Sequence, residues 1–130
     1  MQIEFENLFN DYFIASYGKN YIVIKEKKYF DRVILLGSII DNCQDVKTLF
    51  SDNLFYEKIN QLNTVDYNFI LFGTGKKMEK IPLKTQEFII KNNIPHESLS
   101  SISAFKTYNI LLSQGKKILA FLELETYAFS

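Results

Sequence analysis

A glycine-bounded loop, Gly73-Thr74-Gly75-Lys76-Lys77, carries the residue types with the clearest potential for chemistry. It follows the apolar run 69–72, which predicts a buried strand, so its backbone N–H groups and lysines would lie where that strand ends. Donors beside a cation can hold an anion there. The spacing matches neither a Walker A loop nor the dinucleotide fingerprint, since Met78 stands where the third glycine belongs. A tight turn that the sheet requires sterically is the alternative interpretation.

The crevice of an open α/β sheet lies outside the carboxyl ends of its strands. Thr74 and Lys76 would there approach the start of the next predicted helix, which begins near residues 100–103. We therefore predict a candidate site for a small anion, a partner's carboxylate or another small ligand, lined by Gly73, Thr74, Gly75, Lys76, Ser101 and Ser103. No base accompanies these donors, so binding is favoured over an enzymatic reaction. Helix capping and turn formation alone are the structural interpretation.

Other reactive residue types are sparse and isolated. The flanks of Cys43 and His96 show no nucleophile motif and no orienting acid, so no catalytic residue is predicted. These two side chains lack companion ligands, so neither a metal site nor a cofactor is predicted. The acidic residues are scattered, with no compact pair suited to acid–base work. A lone cysteine also excludes an intramolecular disulfide and suits a reducing compartment.

The elements that would position the loop are predicted by apolar pattern and turn residues. Around the turn 18–20, the extended segments 12–17 and 21–25 predict a hairpin, with 32–36 as a third strand. A fourth strand starts at residues 39–40 and is interrupted by Asp41-Asn42. The segment 43–50 fits either a turn or a short strand. A helix capped by Asp52 or Asn53 follows, with its apolar stripe towards a sheet.

The second half predicts a β-α-β-α-β unit. Strand 69–72 is followed by a helix from Pro82 to about Lys91, a strand at 97–99, a helix that ends at Gly115, and a strand at 118–124. This order implies parallel strands with right-handed crossovers, unless the last strand is antiparallel.

Composition indicates one domain spanning residues 1–130, since 47% of the residues are hydrophobic. The 15 basic and 15 acidic residues balance, and Arg32 is the single arginine, so nucleic acid is excluded as the main partner. The longest apolar runs fall short of the ~20 residues that span a bilayer, so no integral membrane segment is predicted. The opening residues 1–6 lack a basic region, which favours a cytoplasmic protein.

Two sequence blocks, Ile70–Lys76 and Ser103–Leu112, together with the spacing between them, carry a family resemblance over most of the chain. They resemble the family that includes mitochondrial complex I assembly factor 3 and related small bacterial and archaeal domains of unknown function. The resemblance implies a three-layer, single-domain α/β fold with a mixed central sheet. Helices would pack against that sheet, and the early antiparallel strands would form an additional layer.

The same resemblance implies no established catalysis and assigns structural roles to the helix motif residues Ala104, Thr107, Tyr108 and Asn109. Two departures limit what it implies. Many relatives have a small residue at the position of Phe105, and an acidic-Gly-Arg pattern at 114–116. A reactive thiol and a helix-end arginine are therefore not expected in this chain.

Together these observations predict a non-enzymatic interaction or assembly factor. Its expected partners are subunits of a respiratory or other membrane complex, a second assembly factor, or a second copy of the chain. Apolar side chains outside the core stripes, namely Ile110, Tyr127 and Phe129, are the predicted contact surface. The alternative function is ligand binding, or an enzyme, at the crevice beside Gly73–Lys77.

Overall fold

The structure, a computed structural model, describes residues 12–43, 48–63 and 65–125. The strands in these ranges are β1 (Ile14–Tyr17), β2 (Ile22–Ile24), β3 (Lys27–Tyr29), β4 (Val33–Leu36), β5 (Ile39–Asn42), β6 (Phe69–Gly73), β7 (His96–Leu99) and β8 (Ile118–Leu122). The helices are α1 (Asp52–Asn60), α2 (Leu83–Lys91) and α3 (Ser101–Ser113). The predictions for residues 1–6, for residues 44–47 of the undecided segment 43–50, and for Tyr127 and Phe129 concern residues outside the described ranges.

These strands form two sheets. One is a three-stranded antiparallel sheet in the order β1-β2-β3. The other has five strands in the order β5-β4-β8-β6-β7, in which β6 runs parallel to β7 and β8, and β4 runs antiparallel to β5 and β8. The predicted α/β fold with a mixed central sheet is confirmed, including parallel strands in the β-α-β-α-β unit.

Both faces of the five-stranded sheet are covered, which explains why its three central strands, β4, β8 and β6, are nearly continuously apolar. Ile70 and Phe72 of β6 belong to a core cluster with Phe55 of α1 and Ile89 of α2. Leu71 belongs to a second cluster, formed with α3 and the three-stranded sheet. The three layers are therefore the helix pair α1 and α2, the five-stranded sheet, and α3 with the three-stranded sheet, as predicted.

The two crossovers of the β-α-β-α-β unit run in opposite directions along the sheet. From β6 the chain passes through α2 to β7, and from β7 it returns through α3 to β8 on the other side of β6. Helices α2 and α3 consequently lie on opposite faces. The carboxyl ends of β6 and β8 are neighbours at this reversal, which is where open sheets form a crevice.

The structure corrects the predicted first third. Segment 32–36 forms β4 in the five-stranded sheet and does not extend the hairpin. The third strand of the small sheet is Lys27–Tyr29. An edge strand buries few side chains, and the two lysines of this one are exposed, so no apolar pattern predicts it. Strand β5 continues through Asp41 and Asn42, since pairing with β4 uses their backbone rather than their side chains.

Helix boundaries differ from the predictions by about one residue. The N-cap of α1 is Ser51, whose hydroxyl accepts a hydrogen bond from the Leu54 N–H at 3.2 Å. Pro82 is the N-cap of α2 and not its first helical residue. Ser100 is the N-cap of α3, and its side chain makes no capping hydrogen bond. Gly115 follows α3 with a φ of 79°, so the predicted glycine stop is present.

Candidate functional site

The Gly73–Lys77 loop packs directly against the start of α3. A Cβ atom on Gly73 would lie 3.0 Å from the Cβ of Ala104 and 3.1 Å from Cδ2 of Leu122, so a side chain has no room there. Gly75 has a φ of 102°, a left-handed conformation that favours glycine. Each glycine therefore has a steric reason to occupy its position.

Thr74 is buried and uses its hydrogen-bonding groups within the loop. Its hydroxyl donates to the Lys77 carbonyl at 2.7 Å, with the Leu99 carbonyl as a second acceptor at 3.1 Å. The same oxygen accepts from the Glu79 N–H at 2.9 Å, and the Thr74 N–H donates to the Leu99 carbonyl at 2.9 Å. This network fixes the shape of the loop.

Ser101 connects the loop to the first turn of α3 and to the residue after β8. Its fully buried hydroxyl accepts from the Gly75 N–H at 2.7 Å and donates to the Glu123 carbonyl at 2.5 Å. The Ser101 N–H donates to the Gly75 carbonyl at 2.7 Å. The sequence predicted Thr74, Gly75 and Ser101 at one end of the sheet, and the structure brings them together there. Gly75 and Ser101 bond to each other, whereas Thr74 bonds to Lys77, Leu99 and Glu79.

The remaining predicted site residues lie on the surface. Lys76 is exposed, as is Ser103, whose hydroxyl accepts from the Ser100 hydroxyl at 3.2 Å. Three cavities, of about 490, 280 and 160 Å³, are lined by none of Thr74, Lys76, Ser101 and Ser103. Anion binding at this loop stays a prediction, and an anion would need to contact the outer side of the loop.

A buried ion pair lies beside this network. Arg32 precedes β4 and Glu123 follows β8, and the register of the two strands places them opposite each other. The Nε atom of Arg32 lies 3.3 Å from Oε1 of Glu123, and the two side chains are only 6% and 7% exposed. The same carboxylate oxygen accepts from the Leu124 N–H at 3.1 Å.

Burial raises the pKa of Glu123, while the Arg32 charge and the hydrogen bonds from Leu124 and Arg32 act in the opposite direction. The desolvation of two charges is costly, so such a pair is uncommon without good geometry. Reasoning from sequence spacing missed the pair, because its members are far apart in the chain. Two features of the sequence could have indicated the pair: Glu123 is an acidic residue inside the apolar segment 118–124, and Arg32, the single arginine, begins another apolar strand.

Cys43 and His96 lie far apart on the five-stranded sheet. Cys43 follows β5 and His96 begins β7, at opposite edges of the five-stranded sheet. Across the sheet alone, four strand spacings of about 4.8 Å separate them by roughly 19 Å, and the strand register places them at opposite ends of their strands as well. Burial raises the pKa of the Cys43 thiol, so the reactive thiolate is disfavoured.

One of the helix motif residues, Asn109, connects α3 to the three-stranded sheet. The Asn109 side chain accepts from the Ile14 N–H at 2.8 Å and donates to the Ile14 carbonyl at 3.0 Å, as a neighbouring strand would. Ala104 and Tyr108 are buried, and Thr107 is half-buried. The amide of Asn109 therefore attaches the three-stranded sheet to the helix, which is a structural role.

The three cavities differ in their positions relative to the predicted crevice. One of about 490 Å³ is at the opposite end of the five-stranded sheet, one of about 280 Å³ is near the end of α2, and one of about 160 Å³ is near residues 78–81. Among the described residues, no three His, Cys, Asp or Glu side chains cluster as metal ligands would. None of the described helices is long and apolar enough to cross a bilayer.

Solved structures share this fold at low sequence identity. A protein from Bordetella parapertussis is 16% identical with a TM-score of 0.72, covering 86% of this chain and 94% of that one. A protein from Xanthomonas campestris is 17% identical with a TM-score of 0.70, covering 86% and 83%. A Bordetella pertussis protein with a Mth938-like domain is 12% identical with a TM-score of 0.70, covering 87% and 85%. These matches establish a Mth938-like fold.

No curated protein matches the chain significantly. The family model described as "Protein of unknown function (DUF498/DUF598)" matches residues 14–123, from the first residue of β1 to the member of the buried ion pair that follows β8. That range contains both sheets and all three described helices. The chain therefore belongs to the DUF498/DUF598 family.

Proposed function

We propose that the protein is a non-enzymatic interaction factor that assists the assembly of a multisubunit membrane complex, with respiratory complex I as the leading client. The main support for this proposal is an exposed apolar stripe on α2. It is formed by Leu83 and Ile90, whose side chains are 69% and 65% exposed. They are seven residues apart, so they lie on one helix face about 10 Å apart. Of the described helices, α2 alone carries two exposed large apolar side chains.

The surroundings of the α2 stripe suit a protein interface, which has an apolar centre and a charged rim. Lys84, Glu87 and Lys91 are exposed on the same helix. The helix is also held in place before any partner binds, since the Asp52 carboxylate accepts from the N–H and the hydroxyl of Thr85 at 3.0 and 2.7 Å. A rigid stripe loses little conformational entropy on binding, which favours association.

The polar groups at the crevice support binding by a surface rather than a reaction. Thr74 and Ser101 bond to neighbouring loop and strand atoms, and none of the residues described around them is a general base between the two hydroxyls. The client assignment rests on the resemblance of the Ile70–Lys76 and Ser103–Leu112 blocks to the complex I assembly-factor family. Ligand binding on the outer side of the Gly73–Lys77 loop is the alternative proposal.

The test is native affinity purification of the tagged full chain from its own host, followed by mass spectrometry. A Leu83→Glu/Ile90→Glu variant removes the α2 stripe. Ile110, a contact residue predicted from the sequence, is 58% exposed on α3 at the opposite face of the central sheet, where it is the single exposed large apolar side chain of its helix. Ile110→Glu is therefore the comparison variant that decides between this residue and the α2 stripe. Circular dichroism and thermal unfolding verify that both variants fold.

We expect subunits of a respiratory or other membrane complex with the wild type and with Ile110→Glu, and their loss with the α2 variant. Recovery of no such subunit above the untagged control would overturn the assembly role. Recovery of the chain's own second copy alone would replace a client with a homo-oligomer. Retention of the same subunits by the α2 variant would exclude the stripe as the contact surface.

A further inference from the structure

A cavity of about 490 Å³ opens at the end of the five-stranded sheet where β6 and β8 begin. Its apolar wall includes Leu62 after α1, Leu112 of α3 and Ile118 of β8. Its volume lies within the ~300–1,000 Å³ range of small-molecule sites. The cavity is formed by several distant segments and is at the opposite end of the sheet from the Gly73–Lys77 loop.

Tyr108 supplies a buried polar group to this cavity. It lines the cavity wall, yet its side chain is only 1% exposed and otherwise packs in the core cluster. Its hydroxyl makes no hydrogen bond within the described part of the chain. Because Tyr108 lines the cavity wall, a ligand oxygen in the cavity would give this hydroxyl the partner that buried polar groups usually have.

The protonation state of that hydroxyl is fixed over the physiological range. Burial raises the pKa of Tyr108 to about 12. The group is consequently a neutral hydrogen-bond donor at any pH at which the protein would function. It can bond to a carbonyl or hydroxyl oxygen of a ligand without requiring a change in protonation.

Charged side chains surround the cavity. Lys116 and Lys117 contribute two positive charges, and Asp66 contributes one negative charge. The Asp66 carboxylate accepts from the Asn63 N–H at 2.8 Å, and the Lys117 ammonium donates to the Val65 carbonyl at 3.2 Å. Lys116 is exposed, and its ammonium makes no hydrogen bond or ion pair to the described residues. The balance is one positive charge, which favours an anionic group at the opening.

We propose that this cavity binds a small hydroxy- or oxo-carboxylate with an aromatic or branched aliphatic body. The body would lie against Leu62, Leu112 and Ile118, the hydroxyl or oxo oxygen would accept from Tyr108, and the carboxylate would lie near Lys116. This site is additional to the protein-interaction surface on α2. It involves neither Leu83 nor Ile90, so either proposal can fail alone.

Three matched probes test the assignment: 4-hydroxyphenylacetate, phenylacetate without the hydroxyl, and 4-hydroxyphenylacetamide without the charge. Each is titrated into the ¹⁵N-labelled full chain, with chemical shifts followed by NMR. Tyr108→Phe removes only the hydroxyl, and Lys116→Gln removes only the charge at the opening. Lys106→Gln is the control, because Lys106 is exposed on α3 and does not line the cavity.

We expect saturable shifts for 4-hydroxyphenylacetate at the backbone of Leu62, Leu112 and Ile118, and weaker binding of both other probes. Tyr108→Phe should weaken binding about fivefold, the net effect of one neutral hydrogen bond, and should abolish the preference for the hydroxylated probe. Lys106→Gln should leave the affinity unchanged.

Absence of saturable shifts at these cavity residues would overturn the proposal. The same holds if Tyr108→Phe binds all three probes as the wild type does while its unfolding midpoint is unchanged. Equal affinities of the wild type for the carboxylate and the amide would exclude the carboxylate as the recognised group. If Tyr108→Phe does not fold, Lys116→Gln supplies the test, because it keeps the Tyr108 hydroxyl. This variant should still prefer the hydroxylated probe to phenylacetate, and loss of that preference would overturn the proposal.

Discussion

Replacing one member of the Arg32–Glu123 pair should destabilise the fold far more than replacing both. Each side chain is more than nine-tenths buried, so a single change leaves an uncompensated charge in the interior. Removal of one partner of a buried pair costs ~3–5 kcal/mol, whereas replacing both by apolar residues is often neutral or stabilising. We expect this cost for Arg32→Met and for Glu123→Leu, and near wild-type stability for the double variant.

Urea unfolding followed by far-UV circular dichroism measures this difference, which suits a chain without tryptophan. With an m-value of about 2 kcal/mol per M, a loss of about 4 kcal/mol lowers the midpoint by roughly 2 M. Arg32→Lys, which keeps the charge, is the control for loss of the guanidinium shape. Single variants that each cost under about 1 kcal/mol, or a double variant that costs the sum of both, would refute the reasoning.

The pair also predicts a pH dependence. The pKa of Glu123 is raised from 4.5, chiefly by burial, so the folded state binds this proton more tightly than the unfolded state does. Stability therefore falls as pH rises from 4.5 through the folded-state pKa. Measured against the Arg32→Met/Glu123→Leu variant, the wild type should lose unfolding free energy over that interval. A gain over the same interval would mean that attraction to Arg32 outweighs burial.

Three further changes test the site and the attachment of the layers. Asn109→Ala leaves the Ile14 backbone without two partners, so we expect a loss of ~1–3 kcal/mol and faster hydrogen exchange confined to β1–β3. Uniformly faster exchange would contradict this. Gly73→Ala brings a methyl group to 3.0 Å from the Ala104 Cβ and should cost ~1–3 kcal/mol, which an unchanged urea midpoint would disprove. Phosphate-induced NMR shifts in residues 73–77 should disappear in Lys76→Ala, and unchanged binding would remove Lys76 from the proposed anion site.

The second half of the chain could be predicted closely because its elements are bounded by strong local signals. An apolar run ending at glycine gave the strand that the structure places at Phe69–Gly73, and Pro82 marked the start of Leu83–Lys91 within one residue. The first third could not, since the partner of a strand is a long-range property. Nothing local in segment 32–36 indicates that it pairs with β8 and not with the preceding hairpin.

The position of the candidate site could be predicted from the sequence, but the hydrogen bonding of its side chains could not. A topological rule was enough to bring Thr74 and Ser101 to one end of the sheet. Whether their hydroxyls face solvent or bond to neighbours depends on distances of a few tenths of an ångström, and residue spacing does not contain these. The same limit hid the environment of Tyr108, because its cavity is assembled from segments on both faces of the sheet.

The two ends of the central sheet differ in what a ligand would gain. At the carboxyl ends of β6 and β8, where open sheets usually bind ligands, the Thr74 and Ser101 hydroxyls are already bonded, and Arg32 and Glu123 pair beside them. A ligand inserted there must break buried interactions and replace each of them. At the opposite end, Tyr108 has a buried donor to satisfy and the cavity has room to satisfy it. The unbonded Tyr108 hydroxyl therefore favours ligand binding at the amino ends of β6 and β8, whereas the rule for open sheets favours their carboxyl ends.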